Sequence, residues 1–197
     1  MPGHLIVFEG LDQSGKQTQA ERLRDRLIAQ SRKVRLVSFP DYTTHIGGEI
    51  ERALAGEREY APDVMQLLYV ANRYESRAAI EAWLADGWFV VSDRYLASSV
   101  AFGEAFGIDP VWLLDIQRFL PKPSLTIWLD IAPDTAVRRK SADRDRYERD
   151  LALQRRVRES YRRQAGQDDW LALDGERSKE EVAGDVFMAV TTRLAQP

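Results

Sequence analysis

The stretch Leu5-Ile6-Val7-Phe8-Glu9-Gly10-Leu11-Asp12-Gln13-Ser14-Gly15-Lys16-Gln17-Thr18 changes character twice within fourteen residues. Four apolar residues come first, the pattern of a strand buried on both faces. Gly10 to Lys16 then fits G-x-x-x-x-G-K, and Lys16 to Gln30 reads as a helix with Leu23 and Leu27 one turn apart. Strand, glycine-bearing loop, lysine and helix in that order form a phosphate cradle. Backbone N–H groups of such a loop turn inward onto phosphate oxygens, and the helix N-terminus adds partial positive charge. Lys16 is placed to reach the β- and γ-phosphates of a nucleotide. The position after the lysine, where a Ser or Thr hydroxyl usually meets Mg²⁺, holds Gln17. Thr18 lies about 100° further round the helix, which leaves it to the α-phosphate.

Working outward, strands alternate with helices along the whole chain. Strands are expected at Val34–Phe39, Trp88–Ser92, Leu125–Asp130 and Trp170–Leu173. Helices are expected at 46–55, 63–86, 97–106, 110–119, 134–140, 147–165 and 179–194. The pattern predicts one α/β domain over 1–197, a five-stranded parallel sheet covered by helices on both faces. Ligands of such sheets bind beyond the carboxyl ends of the strands. Three polar groups fall there: the cradle, Phe39-Pro40-Asp41-Tyr42, and Asp93-Arg94-Tyr95. Asp93 is the natural carboxylate for a metal that Gln17 serves poorly. Arg94, at a strand end, suits a monophosphate. Tyr69 and Arg73 share a helix face, offering a ring to stack on a base and donors for its carbonyls.

Composition narrows the classes. The 197 residues contain no cysteine and two histidines, which excludes disulfides and thiolate zinc and disfavours a histidine metal centre. No apolar run approaches the ~20 residues of a membrane span. Met1-Pro2-Gly3-His4 has no basic segment ahead of the apolar run, so no secretory signal and a cytoplasmic location are expected. A net charge of −3 offers no general attraction to nucleic acid. One segment departs from that balance: Arg138 to Arg163 holds eleven basic and five acidic residues. Such a run is either a solvated, salt-bridged helix face or a cationic segment meeting polyphosphate.

Four motifs, in order, resemble the thymidylate kinase family. They are Phe8 to Gln19, Ala71-Asn72-Arg73-Tyr74-Glu75, Ser92-Asp93-Arg94-Tyr95 with Ser98 and Phe102, and Asp145-Arg146-Tyr147-Glu148. The resemblance spans residue 5 to about 175. It implies a P-loop NTPase fold with a short lid at about 138–148, and transfer of phosphate from ATP·Mg²⁺ to dTMP on the way to dTTP. It implies that Asp12 lies near the acceptor 3′-OH, that Tyr69 stacks on thymine and that Arg73 reads a carbonyl. Ser99 would face the base N3 edge, Arg94 hold the phosphate, and Phe102 crowd a ribose 2′-OH. Phe39 and Tyr42 would line the acceptor pocket, and Tyr147 and Glu148 close over it, with Glu148 a second candidate for the metal. Asp174-Gly175-Glu176 resembles the loop near adenine, and a homodimer is implied. Gln13 stands where relatives often carry Gly or Arg, so lid cations, foremost Arg139 and Arg146, are expected to act on the transferred group. Two other readings stay open on the residues alone: another nucleoside or nucleotide kinase, and a non-catalytic nucleotide-binding module.

Overall fold

The computed structural model describes residues 3–140 and 150–194. Five strands, β1 (His4–Glu9), β2 (Val34–Ser38), β3 (Phe89–Asp93), β4 (Leu125–Asp130) and β5 (Trp170–Asp174), form one sheet in the order β2-β3-β1-β4-β5. Every pairing is parallel. The register places Phe8 opposite Asp93 and Glu9 opposite Trp128, so the polar ends of β1 and β3 emerge side by side.

Alternation along β1 divides the core. Ile6 and Phe8 pack with Leu23 and Leu27 of α1 (Lys16–Ala29) and with Val182, Val186 and Val190 of the C-terminal helix α9 (Lys179–Leu194). Leu5 and Val7 point to the other face, against Ile80 of α4 (Arg77–Ala85), Phe39 and Tyr95. A third cluster joins Trp128 to Ala97 and Ala101 of α5 (Leu96–Ala105) and to Leu153, Val157 and Tyr161 of α8 (Leu151–Gln164). Asp150 starts α8 by accepting the Leu153 N–H at 2.9 Å. The remaining helices are α2 (His45–Leu54), α3 (Pro62–Glu75), α6 (Pro110–Asp115) and α7 (Pro133–Arg139).

The long helix expected over 63–86 is two helices. At Ser76 (φ −92°, ψ −5°) the N–H bonds back three residues to the Arg73 carbonyl, and the i→i−4 ladder stops. Serine holds a helix interior weakly, and the two halves face different partners: α3 packs on α2 and α5, and α4 on β3. The helix expected over 110–119 ends at Asp115, and the chain then turns towards Leu120. Among the described residues no helix is long and apolar enough to cross a membrane.

The connection after β2 is stapled to α3. Asn72 is fully buried; its Oδ1 accepts the Asp41 N–H at 2.8 Å, and its Nδ2 donates to the Asp41 carbonyl and to Thr44 Oγ1. Thr44 in turn caps α2 by accepting the Gly47 N–H at 3.0 Å. A Cβ on Gly47 would lie 1.7 Å from the Asp41 carbonyl oxygen. Backbone cannot swing away as a side chain can, so Gly47→Ala should cost about 1–3 kcal/mol by overpacking. For a domain of this size that lowers Tm by about 3–10 °C. Calorimetry giving an unchanged Tm would contradict the packing described.

Candidate active site

Two clefts open at the carboxyl ends of the strands, and Asp12 lines both. The first, about 1210 Å³, is walled by Asp12 to Gln19, with Asp93 at its floor and Arg139, Gly175, Arg177 and Lys179 along its rim. The second, about 710 Å³, brings together Phe39, Tyr42, Tyr69, Arg73, Arg94, Ser99 and Phe102 from three separate segments of the sequence.

Loop 10–15 is held by close backbone approach. Gly10 has φ +143°, and a Cβ there would sit 2.6 Å from the Leu129 carbonyl oxygen, so β4 shapes the loop's entry. Gln13 also adopts positive φ (63°). Gly10 and Leu11 do not line the cleft: Leu11 is buried, its carbonyl accepts Lys16 Nζ at 2.8 Å, and the Gly10 carbonyl accepts Arg94. Lys16 is itself buried; burial and the neighbouring Arg94 lower its pKa, against the opposing pull of Asp93 and Asp12. Thr18, expected to turn away from the metal position, borders the same cleft. Gln17 donates its amide to Glu21 at 3.0 Å.

Asp93 carries the best evidence for a cation nearby. Its Oδ1 is buried without a hydrogen-bond partner, and burial raises its pKa. An orphaned anionic oxygen beside a phosphate loop fits Mg²⁺. Among the described residues no three His, Asp or Glu side chains converge as a self-sufficient metal cage. That suits an ion held mainly by substrate phosphates with one or two carboxylates. Glu148, the second candidate ligand, lies outside the described residues, as do Arg146 and Tyr147.

Arg94 stands at the seam of the two clefts. Its side chain is 13% exposed, and its Nη2 donates to Asp12 Oδ1 at 2.6 Å. Nη1 donates to the Gly10 carbonyl (3.0 Å), Ser98 Oγ (3.1 Å) and Tyr161 Oη (3.3 Å). The Phe102 ring lies 5.6 Å from the guanidinium carbon. Burial alone would raise the Asp12 pKa, but Arg94 and then Lys16 outweigh it and hold the carboxyl at about 2. Asp12 is therefore an anion throughout the neutral range.

Arg73 is 3% exposed and donates Nη1 to Ser99 Oγ (2.7 Å) and Gln117 Oε1 (3.3 Å). Its Nε has no partner, and burial lowers its pKa to about 10. A buried cation with donors to spare and only neutral acceptors in hydrogen-bond contact is built for a ligand carbonyl or anion.

The basic run divides. Arg139, the last residue of α7, lines the first cleft and bridges two of its walls, donating to the Gln13 carbonyl at 3.0 Å and the Gly175 carbonyl at 2.9 Å. Arg138 donates to Thr135. Arg156, Arg162 and Arg163 are spent on the Ala105 carbonyl, Glu159 and Glu104, the solvated reading. Arg158 makes a two-pronged bond to Asp130.

Five site residues escape a reading of the sequence. Gln66 and Gln117 are buried amides, Gln66 with its Oε1 unpartnered at the second cleft, and no spacing rule marks such a glutamine. Phe106 lines the second cleft one turn beyond Phe102. Tyr161 falls in phase with Leu153 and Val157 and reads as plain core. Glu9 did carry a signal: a carboxylate closing an apolar strand must find partners where it is buried.

Comparison with known proteins places this architecture. Residues 8–186 match the family model described as thymidylate kinase. A thymidylate kinase of Schizosaccharomyces pombe is 36% identical over 194 residues, 96% of this chain and 92% of the relative. One of Homo sapiens is 32% identical, covering 99% and 95% of the two chains. A solved thymidylate kinase structure from Candida albicans superposes with a TM-score of 0.87 at 29% identity, covering 97% of this chain and 92% of its own. On the matched length, the shared fold and the phosphate loop, the chain belongs to the thymidylate kinase family and phosphorylates dTMP from ATP.

Proposed function

We propose a division of labour in which the larger cleft takes the ATP triphosphate and the smaller takes dTMP, within one domain acting in the cytoplasm. The observation that carries it is the position of Asp12. It belongs to both clefts and is tied to Arg94 at their junction, where the transferred phosphoryl group must pass.

On this reading Arg94 binds the acceptor phosphate, and Asp12 accepts from the sugar 3′-OH. Tyr69 stacks on the base, Arg73 with Ser99 meets its polar edge, and Phe102 narrows the space beside C2′. Phe39 and Tyr42 complete the wall. Lys16 and the N–H groups of residues 13–18 bind the donor phosphates. Mg²⁺ would be held by the phosphates with Asp93, and supplies charge neutralisation on the oxygens between which phosphate moves. The acceptor phosphate is already an anion, so no general base is needed. Positioning and electrostatic stabilisation supply the catalysis. Arg139 is the cation best placed to act on the donor side, since its guanidinium already lies against Gln13 and Gly175.

The exposed apolar side chains Leu67, Val111, Leu114 and Phe119 support the further reading that the enzyme is a homodimer. Sedimentation at micromolar concentration giving a monomer mass would overturn it.

Two measurements test the catalytic reading. In an ADP-release assay with ATP and Mg²⁺, dTMP should rank among the best of dTMP, dUMP, UMP, CMP, AMP and GMP; a poor rank for dTMP defeats the assignment of the acceptor cleft. Arg139→Ala should lower kcat on the order of 10²–10³-fold, as for loss of one preorganised donor. The KM for dTMP should stay within about twofold, since Arg139 is not in the acceptor cleft. An unchanged kcat removes Arg139 from the transfer step.

A further inference from the structure

Glu9 ends β1 fully buried, and it lines neither cleft. Its two oxygens serve different partners. Oε1 accepts the backbone N–H groups of Tyr95 (2.9 Å) and Ser98 (3.1 Å), which cap the first turn of α5 from a neighbouring strand. Oε2 accepts the hydroxyls of Ser98 (2.6 Å) and Tyr161 (3.0 Å). Those same two hydroxyl oxygens, 2.9 Å apart, share the Arg94 Nη1 hydrogen that is not given to the Gly10 carbonyl.

Hydrogen counting makes the arrangement directional. Ser98 and Tyr161 each own one hydrogen. A carboxylate has none, so it takes the hydrogen of each. Both hydroxyls are thereby left with lone pairs turned towards Arg94, which has only hydrogens to give. Burial first, and Glu9 next, raise the Tyr161 pKa, so the phenol keeps the proton that the arrangement requires. Backbone geometry alone does not fix the guanidinium: Arg94 sits at φ +63° on a turn, and its side chain must reach Asp12 from there.

We propose that Glu9 is a positioning residue for acceptor binding: acting through Ser98 and Tyr161, it sets the hydrogen direction of both hydroxyls and so the plane of the Arg94 guanidinium. The inference rests on the reading of Arg94 as the acceptor-phosphate ligand. It makes a particular forecast for Glu9→Gln. Two backbone N–H groups require an oxygen at the Oε1 position, so the amide nitrogen is forced to the Oε2 position. There it donates to Ser98 and Tyr161, whose own hydrogens then turn towards Arg94 and repel it.

The test is calorimetric binding of dTMP and of thymidine to the full-length chain, compared as a ratio of Kd values. Thymidine shares every contact except the phosphate. Glu9→Gln should shrink the preference for dTMP about 10-fold, the factor for losing one hydrogen bond to a charged group. Tyr161→Phe should shrink it about 3-fold, and it keeps the test alive if the buried Gln variant fails to fold. In both, the thymidine Kd should stay within about twofold. In an Arg94→Ala background, Tyr161→Phe should have no further effect on the ratio, because its action passes through Arg94. If Arg94→Ala leaves the ratio unchanged, the phosphate reading of Arg94 itself fails. If Arg94→Ala collapses the ratio but Tyr161→Phe and Glu9→Gln preserve it, or weaken both ligands equally, the positioning role is overturned and Glu9 is only structural.

Discussion

A guanidinium withdrawn from water is among the costliest groups a fold can carry, and Arg94 is withdrawn almost completely. The carboxyl ends of the strands are organised around satisfying it. Asp12 supplies the charge, Gly10 a carbonyl, Ser98 and Tyr161 hydroxyls, and Phe102 a ring face. These come from the phosphate loop, α5 and α8, so the pairing ties three segments to one point. The backbone contributes too. Arg94 occupies left-handed φ at a cost of roughly 1–2 kcal/mol, and is kept there by its N–H bond to the Phe8 carbonyl and by Ser92 Oγ on its own carbonyl. Strain of this kind persists only where the surroundings over-determine the conformation.

The same arrangement explains how one small domain handles two nucleotides. Parallel strands deliver their loops to one edge, and the 2-3-1-4-5 order puts β1 at the centre with β3 and β4 beside it. The phosphate loop leaves β1, Asp93 and Arg94 leave β3, and the turn bearing Ile131 and Ala132 leaves β4. Asp12 therefore needs no long loop to reach both clefts. Gln17 fits this economy. Its amide is engaged with Glu21, and the unpartnered buried carboxylate oxygen is on Asp93, at the end of the neighbouring strand rather than on the helix after the lysine.

Much of this was legible in the residues. All five strands could be located: β1, β3 and β4 are buried along their length and read as nearly unbroken apolar runs, whereas the partly exposed edge strands β2 and β5 follow from their place in the strand–helix alternation. The phosphate loop announced itself through Gly10, Gly15 and Lys16, whose requirements are local. Tyr69, Arg73, Arg94, Ser99 and Phe102 could be named from motifs that resemble a family, and the structure gathers them in one cleft. What was not legible is what depends on contact between distant segments. Gln117 enters the site through its bond to Arg73, and Gln66 by lining the smaller cleft, neither through spacing. Tyr161 is disguised by its helical phase with Leu153 and Val157, since a phenol whose ring packs and whose hydroxyl works looks like any core aromatic. The break at Ser76 is invisible because both halves keep an apolar stripe, and only the different partners of α3 and α4 show why one helix would not serve.

That break has a consequence for the acceptor cleft. A straight helix through 62–85 would have to follow one surface. Divided at Ser76, α4 lies along β3 with Ile80 in the core, while α3 leans across α2 and α5. The lean is what brings Asn72 to the Asp41–Thr44 turn and Arg73 to Ser99 at once, on adjacent positions of one helix. Neighbouring residues on a helix point about 100° apart. One therefore anchors the loop that carries Phe39 and Tyr42, while the other enters the cleft those side chains enclose. The loop and Arg73 cannot shift independently, and the shape of the smaller cleft is set by the tilt of a single helix.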